Sequence, residues 1–317
     1  MVAWDVLRGF AVGGIVFVNI PQTMGMLPHV GVAPEVMRLF VVGRFYPIFF
    51  LLFGLSFGIF LASAARRTEE PRVPMVRRLA ALAVIGALHQ LLQPNEVLLP
   101  FAVVGLVVLL PLSYASYVVN VAAGLGLTVA GLALGIGGYG VLPGIFVLGF
   151  AMAQGGLHRT LPARVRTLTV ALLVAAATAV ACYLIIVGGA PEGVGIRLGL
   201  VFSLAMSAGY ACAVLLLLRT ALRPAMTAAL APMGRMALTN YLSATLIFVL
   251  AGPALGLRGS ADFGTAALLA AAIVLVQLVW SALWMRRYRY GPAEWAWRCI
   301  TWWQRVPLRR PDAEPAG

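Results

Sequence analysis

Two ionisable side chains, His89 and Glu96, lie at the boundary between two apolar segments. The turn Gln93-Pro94-Asn95 separates them, so both are expected near the same face of the molecule. A carboxylate beside a histidine fixes its tautomer and raises its basicity, and such a pair can remove a proton from an attacking hydroxyl or amine. We therefore predict that His89 is a general base oriented by Glu96. The alternative is a structural histidine bonded to a backbone carbonyl.

A polar stripe runs along the first apolar segment. Asp5 and Arg8 are three residues apart and share a helix face, so they can pair. Asn19 lies about three turns beyond Arg8 and returns to nearly the same face. An Asp or Arg at the bilayer centre costs at least roughly 2.5–3.5 kcal/mol, so such groups face protein or water and are candidates for ligand contact. The stripe predicts a polar path into the molecule, with helix–helix hydrogen bonding as the alternative.

A second polar group, Arg235 with Thr239 and Asn240, opens a later apolar segment. A guanidinium flanked by hydroxyl and amide groups suits a phosphate-bearing ligand, and a lipid headgroup would satisfy it equally well. His29 and Arg44 complete the predicted substrate-binding set, because both are expected on the same side as His89. Their alternatives are a solvated loop histidine and an interhelical hydrogen bond.

Several other chemistries have no counterpart in the sequence. There is no nucleotide-binding glycine loop, nucleophile elbow or metal-binding cluster. Cys182, Cys212 and Cys299 have neither metal-site nor disulfide spacing. We therefore expect no metal and no tightly bound cofactor. The net charge of +13 comes from arginines in short loops and the tail, not from one basic face with interleaved aromatic residues, so no nucleic-acid partner is expected.

Membrane-spanning helices must position these groups. Of the 317 residues, 62 % are hydrophobic and 10 % charged, whereas a soluble domain averages about 45–50 % apolar and about 25 % charged. Segments that can cross a bilayer core of about 30 Å recur along the chain. We predict an all-α polytopic membrane protein in which residues 1–285 form one bundle of about ten spans. These lie near 6–28, 39–63, 76–93, 97–115, 117–137, 139–157, 167–188, 196–219, 236–257 and 264–285.

The arginines predict the orientation of this bundle. All 23 basic residues are arginine. With ten spans, nineteen of them fall on the side that holds both termini and four on the other side. Basic residues accumulate on the cytoplasmic side, so both termini are expected in the cytoplasm. Exclusive use of arginine suggests a GC-rich bacterial genome, and the predicted location is therefore the bacterial inner membrane, with membrane lipids as partners.

The residues after the last predicted span differ in composition from the spans. Residues 286–310 are basic and aromatic and are expected to form an interfacial helix along the cytoplasmic headgroups, and residues 311–317 are expected to be disordered.

Glycines spaced four apart predict close helix–helix contact. These pairs are Gly54 and Gly58, Gly131 and Gly135, and Gly140 and Gly144.

Five segments, in order, resemble the YeiB-like membrane family, whose C-terminal half is domain of unknown function 418. They are Asp5–Ala11 with Asn19, Arg44–Gly54, Gly86–His89 with Glu96–Leu98, Gly234–Tyr241, and Arg286–Trp295. The resemblance covers nearly the whole chain and places the family's C-terminal domain at roughly 145–305. The chain departs from the family pattern at Glu96, where Asp is usual, at Phe101, where Tyr is common, and at Ala244-Thr245, which replace Gln-Ser.

The family's opening motif is similar to that of transmembrane acyltransferases, which take an acyl group from cytoplasmic acyl-CoA to an acceptor across the membrane. The resemblance implies acyl-CoA as co-substrate and a sugar or small metabolite as acceptor. We expect Arg8 and Arg235 to hold the phosphates, the acyl-pantetheine arm to follow the Asn19 face, and His89 to be the base. A transporter or lipid flippase and a non-catalytic scaffold are the alternatives. The oligomeric state is left open.

Overall fold

A computed structural model describes residues 1–27 and 32–310, and their regular secondary structure is helical, as expected. The helices are α1 (Val2–Thr23), α2 (Val32–Phe40), α3 (Tyr46–Ala64), α4 (Arg72–His89), α5 (Leu98–Val104), α6 (Leu110–Leu112), α7 (Tyr117–Leu134), α8 (Gly138–Gln154), α9 (Leu157–Thr160), α10 (Val165–Val187), α11 (Glu192–Leu217), α12 (Arg223–Arg235), α13 (Ala237–Ala254), α14 (Phe263–Arg287) and α15 (Pro292–Trp302). A π-helical turn, Gly105–Leu109, joins α5 to α6, and a 3-10 turn, Leu161–Ala163, follows α9.

Seven of the described helices are long and apolar enough to cross a bilayer, namely α1, α3, α7, α10, α11, α13 and α14. An eighth span results if α8 and the segment Leu157–Ala163, which are bent by 76°, cross together. Large apolar side chains point outward along these helices, and Leu173, Leu250 and Leu268 are 64 %, 77 % and 73 % exposed. Water-soluble proteins rarely expose so much apolar surface. These helices therefore indicate a membrane protein.

The expected count of ten spans is not confirmed. The segment predicted at 76–93 forms α4, whose first turns contain Arg72, Arg77 and Arg78 and are therefore less apolar than a typical span. The segment predicted at 97–115 forms the shorter apolar run Leu98–Leu112, which the π-helical turn interrupts. Both segments are nevertheless helical along most of their length.

Helix α3 packs directly on α8 through glycines. A Cβ atom at Gly54 would overlap the carbonyl of Phe146, and one at Gly149 would overlap the carbonyl of Leu51. Gly58 also faces α8, one turn further along. Close backbone contact of this kind is how helices associate in lipid, where burial of apolar area contributes little. The close contact predicted at Gly54 and Gly58 is confirmed.

Helices α7 and α8 are in contact through the other predicted glycines. A Cβ atom at Gly131 would overlap the carbonyl of Gly140, and one at Gly144 would overlap Thr128. Gly135 has a different role, because it ends α7 in the left-handed conformation with a φ of 65°.

Helices α1 and α12 pack equally closely. A Cβ atom at Gly9 would overlap the carbonyl of Leu230, and one at Gly234 would overlap the carbonyl of Asp5. This contact places the start of α1 beside Arg235, the last residue of α12.

Candidate functional site

A cavity of about 430 Å³, called the chamber below, lies between α1, α3, α4, α13 and the C-terminal segment. Most of its wall is apolar and includes Ile15, Phe53, Leu82 and Phe101. The charged part of its wall, called the opening below, contains five arginines, namely Arg8, Arg78, Arg235, Arg289 and Arg298. The chamber thus combines a cationic opening with an apolar interior.

The predicted pair of Asp5 and Arg8 is present at this opening. One guanidinium nitrogen of Arg8 lies 3.0 Å from Oδ1 of Asp5, and the other donates to Oγ of Ser56 on α3 at 2.9 Å. Both charged side chains remain about one-fifth exposed, at 23 % for Arg8 and 20 % for Asp5. The positive charge of Arg8 is therefore largely balanced by Asp5.

The other four arginines have no such balance. Arg78, Arg235, Arg289 and Arg298 form no salt bridge with any carboxylate among residues 1–27 and 32–310. Burial and the guanidinium of Arg310 lower the pKa of Arg235 more than the carboxylate of Asp5 raises it, so the site disfavours additional positive charge there. An anion at the opening would relieve this repulsion. Guanidinium groups bind phosphate oxygens with two parallel hydrogen bonds, which makes a phosphate-bearing group a suitable partner.

The C-terminal segment forms one side of the opening. The indole of Trp297 donates to the carbonyl of Arg78 at 2.7 Å, and the Arg78 guanidinium stacks over the same ring at 3.5 Å. The segment predicted to be an interfacial helix thus contributes to the wall of the site through Arg289, Glu294 and Trp297. Contact of this segment with lipid headgroups stays a prediction.

His89 and Glu96 lie close together beyond the apolar end of the chamber. Nδ1 of His89 is 3.9 Å from Oε2 of Glu96, which is longer than a hydrogen bond. The Glu96 carboxylate instead accepts hydrogen bonds from the backbone N–H groups of Leu98 and Leu99 at 2.6 and 2.7 Å, at the start of α5. His89 is 5 % exposed, and neither ring nitrogen has a hydrogen-bond partner among the described residues.

Tyr241 separates the chamber from His89. Its side chain lines the chamber, and its ring centroid lies 5.0 Å from that of His89. The Gln93 amide donates to the Tyr241 hydroxyl at 3.1 Å, and the Thr245 hydroxyl donates to the Gln93 carbonyl oxygen at 2.8 Å. These hydrogen bonds hold the Tyr241 side chain in place in the chamber wall.

The comparisons with known proteins establish the family. A relative described as "Uncharacterized 39.9 kDa protein in amylase 3'region", from Bacillus acidopullulyticus, is 33 % identical over 337 residues, which cover 96 % of this chain and 94 % of the relative. The model "Protein of unknown function (DUF418)" matches residues 152–304. The chain belongs to the YeiB-like DUF418 family.

Two further relatives share a shorter region with this YeiB-like protein. The "Uncharacterized protein YxaH" of Bacillus subtilis (strain 168) is 40 % identical over 77 residues, or 23 % of this chain and 19 % of the relative. The "Uncharacterized protein YeiB" of Escherichia coli (strain K12) is 41 % identical over 73 residues, again 23 % and 19 % of the two chains. No solved structure matches the chain.

The other predicted groups that the structure of this YeiB-like protein describes lie outside the chamber wall. Asn19 is 2 % exposed and accepts a hydrogen bond from the Tyr46 hydroxyl at 3.4 Å. The continuous polar path predicted from Arg8 to Asn19 is therefore not formed, and Ile15 lines the chamber instead. Arg44 donates to the carbonyls of Leu39 and Arg38 at 3.1 and 2.9 Å, which stabilises the turn between α2 and α3.

Thr239 and Asn240 make protein contacts. The Thr239 hydroxyl donates to Glu294 at 2.5 Å. Asn240 is fully buried and donates to the Met233 carbonyl at 3.1 Å and to Ser281 of α14 at 2.9 Å. Interhelical hydrogen bonding thus accounts for both residues. His29 lies outside the described residues.

Sequence reasoning missed three groups of the site in this DUF418 protein. Glu294 lies within the segment Arg286–Trp295, and Trp297 follows it. Their hydrogen-bond partners are far away in the chain, so residue spacing gives no signal for either. Tyr241 ends the segment Gly234–Tyr241, but its type and spacing predict no role of its own. Its position directly after two polar residues, Thr239 and Asn240, in an apolar helix is the signal that could have found it.

Proposed function

We propose that this YeiB-like protein is an integral-membrane acyltransferase that moves an acyl group from cytoplasmic acyl-CoA to a sugar or small metabolite at or across the membrane. The observation that carries the proposal is the chamber itself. Four guanidinium groups without carboxylate partners surround the opening of an apolar cavity, and a single tyrosine separates its far end from a buried histidine.

The donor that fits this shape has a polyanionic head and a long uncharged arm. Acyl-CoA has both, since its phosphates would meet Arg78, Arg235 and Arg289 while the acyl-pantetheine arm enters the apolar chamber. The route runs along Ile15 and Phe53. This replaces the route along Asn19 expected from the sequence.

The chemistry at the far end needs one base. His89 takes the proton of the acceptor hydroxyl or amine as the acceptor atom attacks the thioester carbonyl carbon. The carbon–sulfur bond then breaks, and the leaving sulfur receives a proton from the imidazolium, so that a free thiol and an acylated acceptor result. The Glu96 carboxylate, 3.9 Å from Nδ1, would stabilise the imidazolium that forms in between.

The proposal includes an orientation. We propose ten crossings, made by the seven candidate spans and the α8–α9 pair together with α4 and the α5–α6 run, and this even number places both termini in the cytoplasm. All five arginines of the chamber opening belong to the nineteen on the cytoplasmic side, so the opening faces the cytoplasmic pool of acyl-CoA. For a bacterial protein, the membrane is then the inner membrane.

The test is a transfer assay with the purified protein in lipid nanodiscs. Labelled acetyl-CoA is offered with an extract of glycans and small metabolites, and label is followed into products. His89→Gln should lower transfer at least about 100-fold, the usual effect of losing a general base. His158→Gln, at a buried histidine outside the chamber, should behave as the parent. No transfer by the parent, or equal transfer by His89→Gln, contradicts the proposal.

A lipid flippase is the second candidate, because an anionic phospholipid also has a charged head and apolar chains that suit the chamber. Tyr241, which Gln93 and Thr245 hold in the chamber wall, lies between the chamber and His89 and argues against a through path. Movement of labelled lipid across proteoliposomes in the absence of any acyl donor would favour the flippase over the transferase.

A further inference from the structure

We propose that the Tyr241 hydroxyl donates a hydrogen bond to the carbonyl oxygen of the group being transferred, and that Gln93 and Thr245 are positioning residues that keep this hydroxyl in its donating state. The inference rests on the proposed function for the identity of the bound acyl group. It assigns Tyr241 a role in binding the reacting carbonyl.

The position of Tyr241 is the first argument. Its side chain is 7 % exposed and forms part of the chamber wall on one side. On another side its ring lies 5.0 Å from the ring of His89. The neighbouring residues at this end of the chamber, Val97, Leu98 and Phe101, have no polar side-chain atom. Among the described residues that line this end, Tyr241 therefore supplies the side-chain donor.

The direction of the hydrogen bonds is the second argument. Thr245 donates to Oε1 of Gln93 at 2.8 Å, which turns the NH₂ group of Gln93 towards Tyr241. The phenol oxygen then accepts a hydrogen bond at 3.1 Å and keeps its own proton for another acceptor. No described carbonyl or carboxylate accepts that proton. A buried donor without a partner is costly, and a ligand carbonyl would satisfy it.

The complementary state of His89 is the third argument. Both of its ring nitrogens are buried without partners, so a free base and a free donor lie side by side. Acyl transfer needs these two groups: a base for the acceptor proton and a donor for the carbonyl oxygen, which becomes negative in the transition state. A phenylalanine at position 241 would fill the wall equally well, but it would leave the NH₂ group of Gln93, a residue only 1 % exposed, without its acceptor.

The test compares the parent with Tyr241→Phe and Thr245→Val. The infrared band of acetyl-CoA labelled at its carbonyl carbon is measured on the bound molecule, with kcat and KM for transfer beside it. A hydrogen bond lowers the carbonyl frequency, so the band should be lowered in the parent and should return upward in Tyr241→Phe. We expect kcat to fall about 100-fold with KM within about threefold, as for loss of one oxyanion donor.

Two comparisons separate this role from a structural one. Thr245→Val frees the Gln93 amide to turn its oxygen towards Tyr241 and capture the phenol proton, so a drop in kcat of about tenfold with unchanged KM is expected. Tyr210→Phe removes a hydroxyl that donates to the Phe40 carbonyl at 2.8 Å, away from the chamber, and should match the parent in band position and kcat.

The outcomes also separate this inference from the proposed function. A parental kcat and band in Tyr241→Phe overturn the inference while acyl transfer stands. A band that is lowered in the parent and restored in Tyr241→Phe supports it even if no acceptor is ever acylated. Failure of acetyl-CoA to bind the parent overturns both.

Discussion

The carboxylate of Glu294 accepts a hydrogen bond from the hydroxyl of Thr239 at 2.5 Å, although 55 residues of chain separate them. It also accepts from the backbone N–H groups of Leu238 and Thr239 at 2.6 and 3.0 Å. These N–H groups have no partner within a helix, because they lie in the first turn of α13, where negative charge is favourable. Glu294 thereby fastens the C-terminal segment to the helix that carries Tyr241.

Loss of this contact should destabilise the protein. Glu294→Ala leaves two partly buried N–H donors without an acceptor, which should cost about 1–3 kcal/mol. The midpoint of thermal unfolding in detergent, compared with the parent, measures the effect. Glu192→Ala removes an exposed carboxylate from the first turn of α11 and serves as the matched control. Equal midpoints for the two variants would show that Glu294 does not fasten the segment.

The same carboxyl should make stability depend on pH. Burial raises the pKa of Glu294 above its ordinary value of 4.5 and outweighs the hydrogen bonds from Thr239 and Leu238, which act to lower it. A raised pKa in the folded state means that folding favours the protonated form, so the contribution to stability is full at low pH and is lost as the pH rises through that pKa. Glu294→Gln cannot titrate. The unfolding free energy of the parent, relative to Glu294→Gln, should therefore decrease from about pH 4 to about pH 8, and a steady increase would contradict this sign.

The contact between α3 and α8 should not tolerate a methyl group. Gly54→Ala places a Cβ against the carbonyl of Phe146 and should cost about 1–3 kcal/mol through overpacking. Gly126→Ala is the matched control, because no atom lies within 4 Å of a Cβ at that position. Unfolding in a denaturing detergent gives both values. If Gly54→Ala is as stable as Gly126→Ala, the close packing of α3 on α8 is wrong.

Charge at the chamber opening should determine donor affinity. Arg235→Gln and Arg289→Gln each remove one guanidinium that has no carboxylate partner among the described residues and should weaken acetyl-CoA binding about tenfold, since charge-assisted hydrogen bonds contribute about 1.5–3 kcal/mol. The loss should shrink at high salt, which screens the same interaction. Arg166→Gln removes an exposed arginine that does not line the chamber and should leave affinity unchanged. Equal affinity of all three variants, measured by calorimetry, would exclude the opening as the phosphate site.

Contacts between sequence neighbours could be predicted, and contacts between distant helices could not. The pairing of Asp5 with Arg8 followed from helix geometry alone. The proximity of His89 to Glu96 followed from the short turn between their helices. The bond from Trp297 to the Arg78 carbonyl spans 219 residues and has no local signal. Asn240 was predicted to bind substrate, but a buried amide in a helix bundle is satisfied as well by a neighbouring helix, here by Ser281.

A structure of the protein in nanodiscs with acetyl-CoA bound tests the central claim most directly. The account predicts phosphate density against Arg235 and Arg289, an arm running through the chamber, and a thioester carbonyl within hydrogen-bond distance of the Tyr241 hydroxyl and beside His89. Density for acetyl-CoA at any other surface, with the chamber filled by lipid or side chains, would contradict it.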